Sequence, residues 1–362
     1  VVTSYDLLRR DETLYEGQEF YACILDEAQA IKNHTTQKYK AVCKVRSRVR
    51  FALTGTPVEN RLGELWSIFS FLMPGYLPPY KSFCSRFEKP IVQEEDQTAV
   101  RRLNQLTGPF ILRRMKSDVL KELPPKTENV YRIELEEEQR KLYLAAVVDA
   151  REKLQAAKPE DRMAVFAVLT RLREICCDPR LIADNWEGGS AKLDACVELV
   201  SSAVEGGHRI LLFSQFTSML ELLAKRLDAE GISHFTLQGS TPKPVRAELV
   251  RRFNGGEVSV FLISLRAGGT GLNLTAADIV IHYDPWWNVA AQNQATDRAY
   301  RIGQQNPVQV YKLIAQDTIE EKIVELQQAK QSLADTVTGT ADGAILSMRP
   351  DELLQLLEGS EP

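Results

Sequence analysis

The sequence predicts an α/β protein with two lobes, each built on a mostly parallel β-sheet, and with helical insertions between them. Two stretches of the 362 residues alternate short apolar runs with amphipathic helical patterns, which is typical of parallel sheets covered by helices. Helix-rich sequence separates the two stretches. The composition fits this class, because 44% hydrophobic and 26% charged residues in a chain of this length suffice for two cores.

The first stretch predicts two buried strands, Phe20 to Leu25 and Phe51 to Leu53, each of which ends in polar residues. The second stretch predicts five strands with helices between most of them, which is a complete α/β domain. These five strands are Ile210 to Phe213, His234 to Leu237, Val258 to Ile263, Ile279 to His282 and Val308 to Ile314.

Apolar residues at helical spacing predict three long helices between the two stretches, with Pro-rich breaks nearby. These helices are Leu62 to Met73, Glu136 to Gln155 and Arg162 to Cys176. An amphipathic helix is predicted from Thr318 to Leu333, then a loop over Ala334 to Met348 and a short last helix, Pro350 to Leu357.

Charge and cysteine content limit the partners. The net charge is −4, so a nucleic-acid surface has to be a local basic patch, and Arg113, Arg114, Lys116 and Lys121 form one. That segment fits a polyanion contact or ion pairs between lobes equally well. The six cysteines contain no C-x-x-C pair, which argues against structural zinc and fits a reduced intracellular setting. No apolar run approaches the length of a membrane span.

Two carboxylates follow the first predicted strand, in the tetrapeptide Asp26-Glu27-Ala28-Gln29. Ligands of parallel sheets bind at the carboxyl ends of the strands, so a nucleotide is expected here. Asp26 is the candidate ligand of Mg²⁺ and Glu27 the candidate base that activates water. Taken alone, the tetrapeptide fits a helix cap equally well.

Three further segments are candidate functional elements. Thr54-Gly55-Thr56-Pro57 follows the second strand, where its hydroxyls can bond nearby carboxylates or backbone, and alone it fits a simple turn. The cluster from Gly268 to Asn273 lets backbone amides approach a phosphate, or forms a strained turn. Arg298 and Arg301 are predicted on one face of a helix as a phosphate clamp, and a solvated face with surface ion pairs is the alternative.

Together these segments resemble the SWI/SNF branch of the superfamily-two helicases, in the family's order along nearly the whole chain. The strings DEAQAIKN, LTGTPVEN, LLFSQFTSML and QATDRAYRIGQ are similar to motifs II, III, IV and VI. The string SLRAGGTGLNLTAADIVIHYDPWWN is similar to motif V. The string PFILRRMKSDVLKELPPK is similar to the stretch that links the two lobes in this branch. The resemblance implies two RecA-like lobes, the first incomplete, that close on ATP and a duplex backbone and step along DNA without separating its strands.

The resemblance also implies roles for single residues. ATP and Mg²⁺ would be the cofactors, and double-stranded DNA the partner, together with a DNA-bound protein complex. The catalytic set would be Asp26, Glu27, Gln294, Arg298 and Arg301, and nucleotide would also contact Gln29, Thr54, Thr56, Gly269 and Gly271. DNA would contact Ser4, Tyr5, Arg113, Arg114, Lys116, Ser214, Gln215 and Gly271. Paired tryptophans more often pack than stack on bases, so packing is expected for Trp286-Trp287.

The sequence departs from the family in lacking any G-x-x-x-x-G-K-[ST] loop, and it has Tyr300 where the family usually has His. We therefore expect a fragment without initiator Met, with low ATP hydrolysis of its own and with exposed strand edges and apolar surface. The expected location is cytoplasmic in a bacterium or nuclear in a eukaryote. Alternatives are a DNA-binding or regulatory module without catalysis, and a strand-separating helicase.

The same patterns predict five segments along the chain. Residues 1–61 are the carboxyl-terminal part of the first lobe, and 62–135 a helical insertion with the interlobe linker. Residues 136–186 are a helical insertion of the second lobe, 187–335 the second lobe itself, and 336–362 a tail.

Overall fold

The computed structural model describes residues 1–55, 62–94, 96–112, 114, 120, 122–158, 161–183, 185–268, 271–286, 288–327, 353, 354 and 357. The described residues fall into two units, one up to residue 114 and the other from 120 to 326; residue 327, the last of a helix that otherwise lies in the second unit, is grouped with the first. Residues 353, 354 and 357 belong to the second unit.

The first unit carries a small parallel sheet and a group of helices. Its two strands pair in register from Glu19 beside Arg46 to Leu25 beside Ala52. In chain order its elements are α1 (Tyr5–Arg10), β1 (Glu19–Leu25), α2 (Gln37–Lys44), β2 (Arg46–Ala52), α3 (Leu62–Leu72), α4 (Tyr80–Phe83), the π-helical turn Cys84–Glu88, α5 (Lys89–Gln93) and α6 (Gln97–Thr107). Short 3₁₀ turns lie at Glu12–Leu14, Ala28–Ile31 and Gly108–Phe110.

The second unit is built on a six-stranded, all-parallel sheet in the order β3-β8-β7-β4-β6-β5. Its elements are β3 (Lys126–Ile133), α7 (Glu137–Ala156), α8 (Arg162–Cys177), α9 (Ala191–Glu205), β4 (Ile210–Ser214), α10 (Thr217–Ala229), β5 (His234–Leu237), α11 (Lys243–Asn254), β6 (Val260–Ser264), α12 (Leu265–Gly268), β7 (Ile279–His282), α13 (Val289–Thr296), β8 (Val308–Ala315) and α14 over 319–327.

The central strands of this sheet are buried on both faces. On β4, Ile210 and Leu212 face a core formed with α9 and α10, whereas Leu211 and Phe213 face a second core on the other side. Every residue of β4, β6 and β7 is buried. Continuous apolar runs of this kind are what a parallel sheet covered by helices on both faces requires.

The two strands of the first unit are far less covered. Tyr21 is 76% exposed, Ile24 61% and Phe51 52%. The expected apolar exposure is therefore present on both strands. Among the described residues of this unit, β1 and β2 are the only strands.

Most of the predicted elements are confirmed within one or two residues. Strand β2 is an exception, because it begins at Arg46, five residues before the predicted start at Phe51. Strand β3 was missed, so the second sheet has six strands rather than the predicted five. The predicted loop over 334–348 lies outside the described residues. Of the predicted last helix, Leu353 and Leu357 are described and pack, fully buried, against α7 and α8.

No helix in the described part of the chain combines the length and the apolar character that crossing a membrane needs.

Candidate functional site

The carboxyl end of the small sheet places the two predicted carboxylates beside the second strand. Backbone pairing continues past both strands, because Leu53 N donates to Leu25 O at 2.7 Å and Ala28 N to Leu53 O at 2.9 Å. The chain therefore turns across the edge of the sheet immediately after β1. Asp26 and Glu27 lie in that turn and are exposed.

Asp26 is held from two sides. Its Oδ1 accepts the Glu27 amide at 2.9 Å, and its carbonyl oxygen accepts the Tyr5 hydroxyl at 2.7 Å. Burial, assisted by the charge of Asp26, raises the pKa of Tyr5 to about 12, so this hydroxyl remains a neutral donor. Ser4 caps α1, since its Oγ accepts the Leu7 amide at 3.3 Å.

Glu27 belongs to a run of three hydrogen-bonded side chains. Thr54 Oγ1 donates to Gln29 Oε1 at 2.8 Å, and Gln29 Nε2 donates to Glu27 Oε2 at 2.6 Å. Glu27 also has a left-handed backbone, with φ of 50°, which is uncommon for a residue with a side chain. The structure thus brings together four predicted site residues, Asp26, Glu27, Gln29 and Thr54, whereas Thr56 lies outside the described residues.

In the second unit, the corresponding edge of the sheet is occupied by Asp284, two residues after β7. Its carboxylate accepts the Ser214 hydroxyl at 2.6 Å and the Gln215 amide at 3.2 Å, both at the end of β4. The guanidinium of Arg173, from α8, lies 3.4 Å from the other carboxylate oxygen. Ser214, Asp284 and Arg173 are all buried.

Sequence reasoning missed Arg173 and Asp284. Asp284 follows a strand as Asp26 does, so the rule that found Asp26 could have found it. Arg173 is a charged residue within the apolar face of α8, which was the available signal. Burial raises the pKa of Asp284, and the charge of Arg173 opposes this increase.

The prediction that one helix carries both Arg298 and Arg301 is wrong, because α13 ends at Thr296. The N–H groups of Arg298 and Ala299 bond to carbonyls three residues back, at 3.1 Å each, so the chain tightens into turns. The carbonyl of Arg298 accepts the Leu274 amide at 3.0 Å. Arg298 is 7% exposed and Arg301 is exposed, so the two do not share one helical face.

Gly271, in the loop after α12, has a φ of 48°, and a Cβ there would meet open space. The loop is tied to α11, because Asn254 Nδ2 donates to Asn273 O at 2.9 Å. Gly269 lies outside the described residues. Gln294 lies on α13 and is half-buried.

His282, at the end of β7, packs behind the same helix. Its Nε2 lies 2.9 Å from Thr296 Oγ1. Burial, then the charge of Lys312, lowers its pKa to about 3, so the ring is neutral at physiological pH. Trp286 is half-buried against two cores, which confirms packing for this tryptophan. Trp287 lies outside the described residues.

The predicted basic segment is only partly described. Arg114 is exposed, and Arg113, Lys116 and Lys121 lie outside the described residues. In the part of the chain that the structure describes, no cluster of three or more His, Cys, Asp or Glu side chains is arranged to hold a metal ion.

Two family models match the chain. The SNF2-related domain covers residues 1–181, and the helicase conserved C-terminal domain covers residues 191–303. The chain belongs to the SWI/SNF family. The RecA-like fold of its lobes follows, since solved SWI2/SNF2 ATPase cores resemble it.

Among curated SWI/SNF relatives, an uncharacterized ATP-dependent helicase of Mycoplasma pneumoniae is 40% identical over 99% of this chain and 34% of its own length. A putative ATP-dependent helicase/translocase of Bacillus subtilis is 40% identical over 98% of this chain and 40% of its own length. Human TATA-binding protein-associated factor 172 is 36% identical over 98% of this chain and 23% of its own length. The chain therefore spans well under half of these relatives.

Two solved structures from Sulfolobus solfataricus, each 35% identical, share the fold. The SWI2/SNF2 ATPase core domain gives a TM-score of 0.56 and covers 98% of this chain and 74% of that chain. The same core in complex with double-stranded DNA gives a TM-score of 0.52 and covers 92% and 72%. The names of the relatives from Mycoplasma pneumoniae and Bacillus subtilis describe those two proteins as ATP-dependent helicases.

Proposed function

We propose that this chain is the motor part of an ATP-dependent translocase that moves along double-stranded DNA. The observation that carries the proposal is the side-chain run from Thr54 through Gln29 to Glu27, beside Asp26, at the carboxyl end of a parallel sheet. Such a run fixes the carboxylate of Glu27, which a base that activates water needs. The likeness to a core bound to double-stranded DNA supports the choice of duplex.

The carboxylates fit the two roles given to them. Asp26 Oδ1 holds the Glu27 amide, and Oδ2 is the oxygen that we assign to Mg²⁺, a cation that takes oxygen ligands and usually one or two carboxylates. Mg²⁺ would supply charge neutralisation on the phosphates. Glu27 Oε2 accepts from Gln29, and Oε1 is the oxygen that we assign to the attacking water.

Arg298, Arg301 and Gln294 keep their assignment as nucleotide-binding residues of the second lobe. Because Arg301 is exposed whereas Arg298 is 7% exposed, Arg301 is the arginine to test first. The lobes are assigned to residues 1–61 and 187–335, with a helical insertion and the linker over 62–135, a helical insertion of the second lobe over 136–186 and a tail over 336–362. Strand β3, within 62–135, pairs with β8 and is counted with the sheet of the second lobe. A DNA-bound protein complex is proposed as a second partner, as the name of the human relative suggests for that protein.

The activity test compares the full-length gene product with the 362 residues alone. We expect the full-length protein to hydrolyse ATP faster with duplex DNA and to displace a triplex-forming strand from the duplex. We expect the 362 residues to hydrolyse ATP near background, because their sequence contains no G-x-x-x-x-G-K-[ST] loop. Duplex-stimulated hydrolysis by the 362 residues would show that this loop is not required.

Two rivals are outcomes of the same assays. A full-length protein that binds duplex DNA but ignores both added nucleotide and Arg301→Ala is a DNA-binding or regulatory module without catalysis. One that separates the strands of a duplex with a single-stranded tail is a helicase. Either result contradicts the proposed translocase.

A further inference from the structure

Gln304, just before strand β8, is a buried side chain whose amide is fully hydrogen-bonded. It is 6% exposed. Its Nε2 donates to Ala277 O at 2.7 Å and to Ala299 O at 3.1 Å. Its Oε1 accepts the amides of Gln305 and Asn306, each at 2.9 Å. The side chain thus uses two donors and two acceptor sites, and all four of its partners are backbone groups.

One of these bonds meets the backbone of Arg301. The Arg301 amide donates to Ala299 O at 3.1 Å, so this carbonyl accepts from both Arg301 and Gln304. The Gln304 amide in turn donates to Arg301 O at 2.9 Å. Between α13 and β8 the chain forms no helix or strand over residues 297–307, all of which are described. These bonds therefore hold Arg301 where no regular element does.

The side chain of Arg301 is available to a ligand. It is exposed and makes no hydrogen bond or ion pair with any residue that the structure describes. The five N–H donors of its guanidinium can therefore meet an anion, and their planar arrangement suits a phosphate. Arg298, by contrast, is 7% exposed. Of the two arginines, the one that can reach a ligand is thus the one whose backbone Gln304 holds.

Gln304 is not needed to pair β8 with its neighbours. Strand β8 pairs with β3 along its length and with β7 over Gln309 to Lys312. The Gln309 amide also donates to Asp278 O at 2.9 Å. An apolar side chain of similar length fills the same space, and burying an amide costs free energy unless it is bonded. What distinguishes Gln304 from an apolar core residue is its set of bonds to the turn that carries Arg301.

We propose that Gln304 is a positioning residue, which holds the backbone of Arg301 in the conformation that presents the guanidinium to a phosphate of the nucleotide. The inference rests on the proposed function, in which Arg301 contacts ATP. A long arginine side chain loses conformational freedom when it binds, and a fixed backbone keeps that loss small. Gln304 then contributes to catalysis without touching the nucleotide.

The first test measures amide hydrogen exchange in the full-length gene product and needs no nucleotide. In Gln304→Met we expect the amides of residues 301–306 to exchange about tenfold faster, by the loss of their hydrogen bonds, with β8 unchanged. If Gln304→Met fails to fold, Gln304→Ala replaces it, because water can then bond the freed backbone groups. Gln305→Met changes the exposed neighbour of the same type and should exchange like the unmodified protein. Equal exchange in the Gln304 and Gln305 variants overturns the proposal.

The second test is a double-mutant cycle on the duplex-stimulated ATPase of the full-length gene product. We expect Arg301→Ala to lower kcat about 10³-fold, as for an arginine that stabilises the transferring phosphoryl group. Gln304→Met should lower kcat about tenfold with little change in the KM for ATP, because the contact acts in the transition state. In the Arg301→Ala background, the same change should alter kcat less than twofold. A side chain with only a structural role lowers kcat by one factor in both backgrounds.

The outcomes separate the two levels of the proposal. Equal losses in both backgrounds, or a kcat of Gln304→Met equal to that of Gln305→Met, overturn the positioning role alone. An Arg301→Ala variant as active as the unmodified protein removes Arg301 from the nucleotide site. That result contradicts the part of the proposed function on which the inference rests, and the inference with it.

Discussion

Acidic residues follow a strand at the carboxyl end of both sheets, but they are exposed in the first sheet and buried in the second. After β1, Asp26 and Glu27 are exposed at the edge of two sparsely covered strands. After β7, Asp284 is buried in a six-stranded sheet and shared by Ser214 and Arg173. A solvated carboxylate remains available to a ligand, whereas a desolvated one has to be satisfied by the protein itself. Whether helices cover the sheet therefore decides whether an acidic residue at its edge stays accessible to a ligand or is fully bonded within the protein.

The largest effect should come from the exposed edge. Glu27→Gln removes the proposed base, so we expect the duplex-stimulated ATPase of the full-length gene product to fall by about 10²- to 10⁴-fold. Glu19→Gln, an exposed carboxylate at the other end of β1, is the control and should hydrolyse ATP like the unmodified protein. Equal rates in the two variants would remove Glu27 from the catalytic set.

In the buried second sheet, removing a charge should lower the free energy of unfolding rather than the ATPase rate. Lys192 and Glu320 form an ion pair with both side chains 0% exposed. Lys192→Met leaves Glu320 unpaired, and we expect the free energy of unfolding in urea to drop by about 3–5 kcal/mol. Adding Glu320→Gln should recover much of it, whereas exposed Lys225→Met should have little effect. No recovery in the double variant would contradict the ion-pair explanation.

The next largest effect should be a loss of folding stability as the pH falls, because of the buried His282. Burial holds the pKa of His282 at about 3, whereas an unfolded histidine titrates near 6.5, so the unfolded state takes up the proton first. Between these pH values we expect the free energy of unfolding to fall by up to about 1.4 kcal/mol per unit as pH decreases. His282→Asn should remove this contribution and His208→Asn should keep it. An unchanged slope in His282→Asn would assign the decline to other groups.

The smallest effect concerns the side-chain run at the exposed edge. Thr54→Val deletes the hydrogen bond to Gln29, so we expect the ATPase rate to fall about fivefold, as the loss of about 1 kcal/mol implies. Thr13→Val, on the exposed surface of the same unit, is the control. A rate equal to that of the control would mean that Gln29 holds Glu27 without help from Thr54.

The sequence predicts best the elements that are buried on both faces. Strands β4, β6 and β7 are continuous apolar runs, and all were found. Strand β3 is an edge strand in which Ile133 is the only buried residue, so neither an apolar run nor an alternation marks it. Its partner strand, β8, lies about 180 residues later, as the register of Lys126 beside Val308 shows.

Long-range contacts also explain what was missed in the sites. The position of two exposed carboxylates, Asp26 and Glu27, at the carboxyl end of a strand could be predicted because the strand end and both residues are adjacent in sequence. Arg173 and Asp284 are 111 residues apart, so the sequence around one residue does not indicate that the other is its partner. Just after the end of α13, the Leu274 amide donates to the Arg298 carbonyl. This contact joins distant parts of the chain, so the local spacing of apolar residues could not predict it.

The left-handed backbone at Glu27 has a consequence for how the protein can change over time. Gly or Asn adopts that conformation more readily, so selection for a more stable fold would favour either residue at this position. Both replacements remove the carboxylate that the proposed chemistry needs. At position 27, a substitution that stabilises the fold therefore removes the proposed activity. A library of variants selected only for thermal stability should lose Glu at this position early.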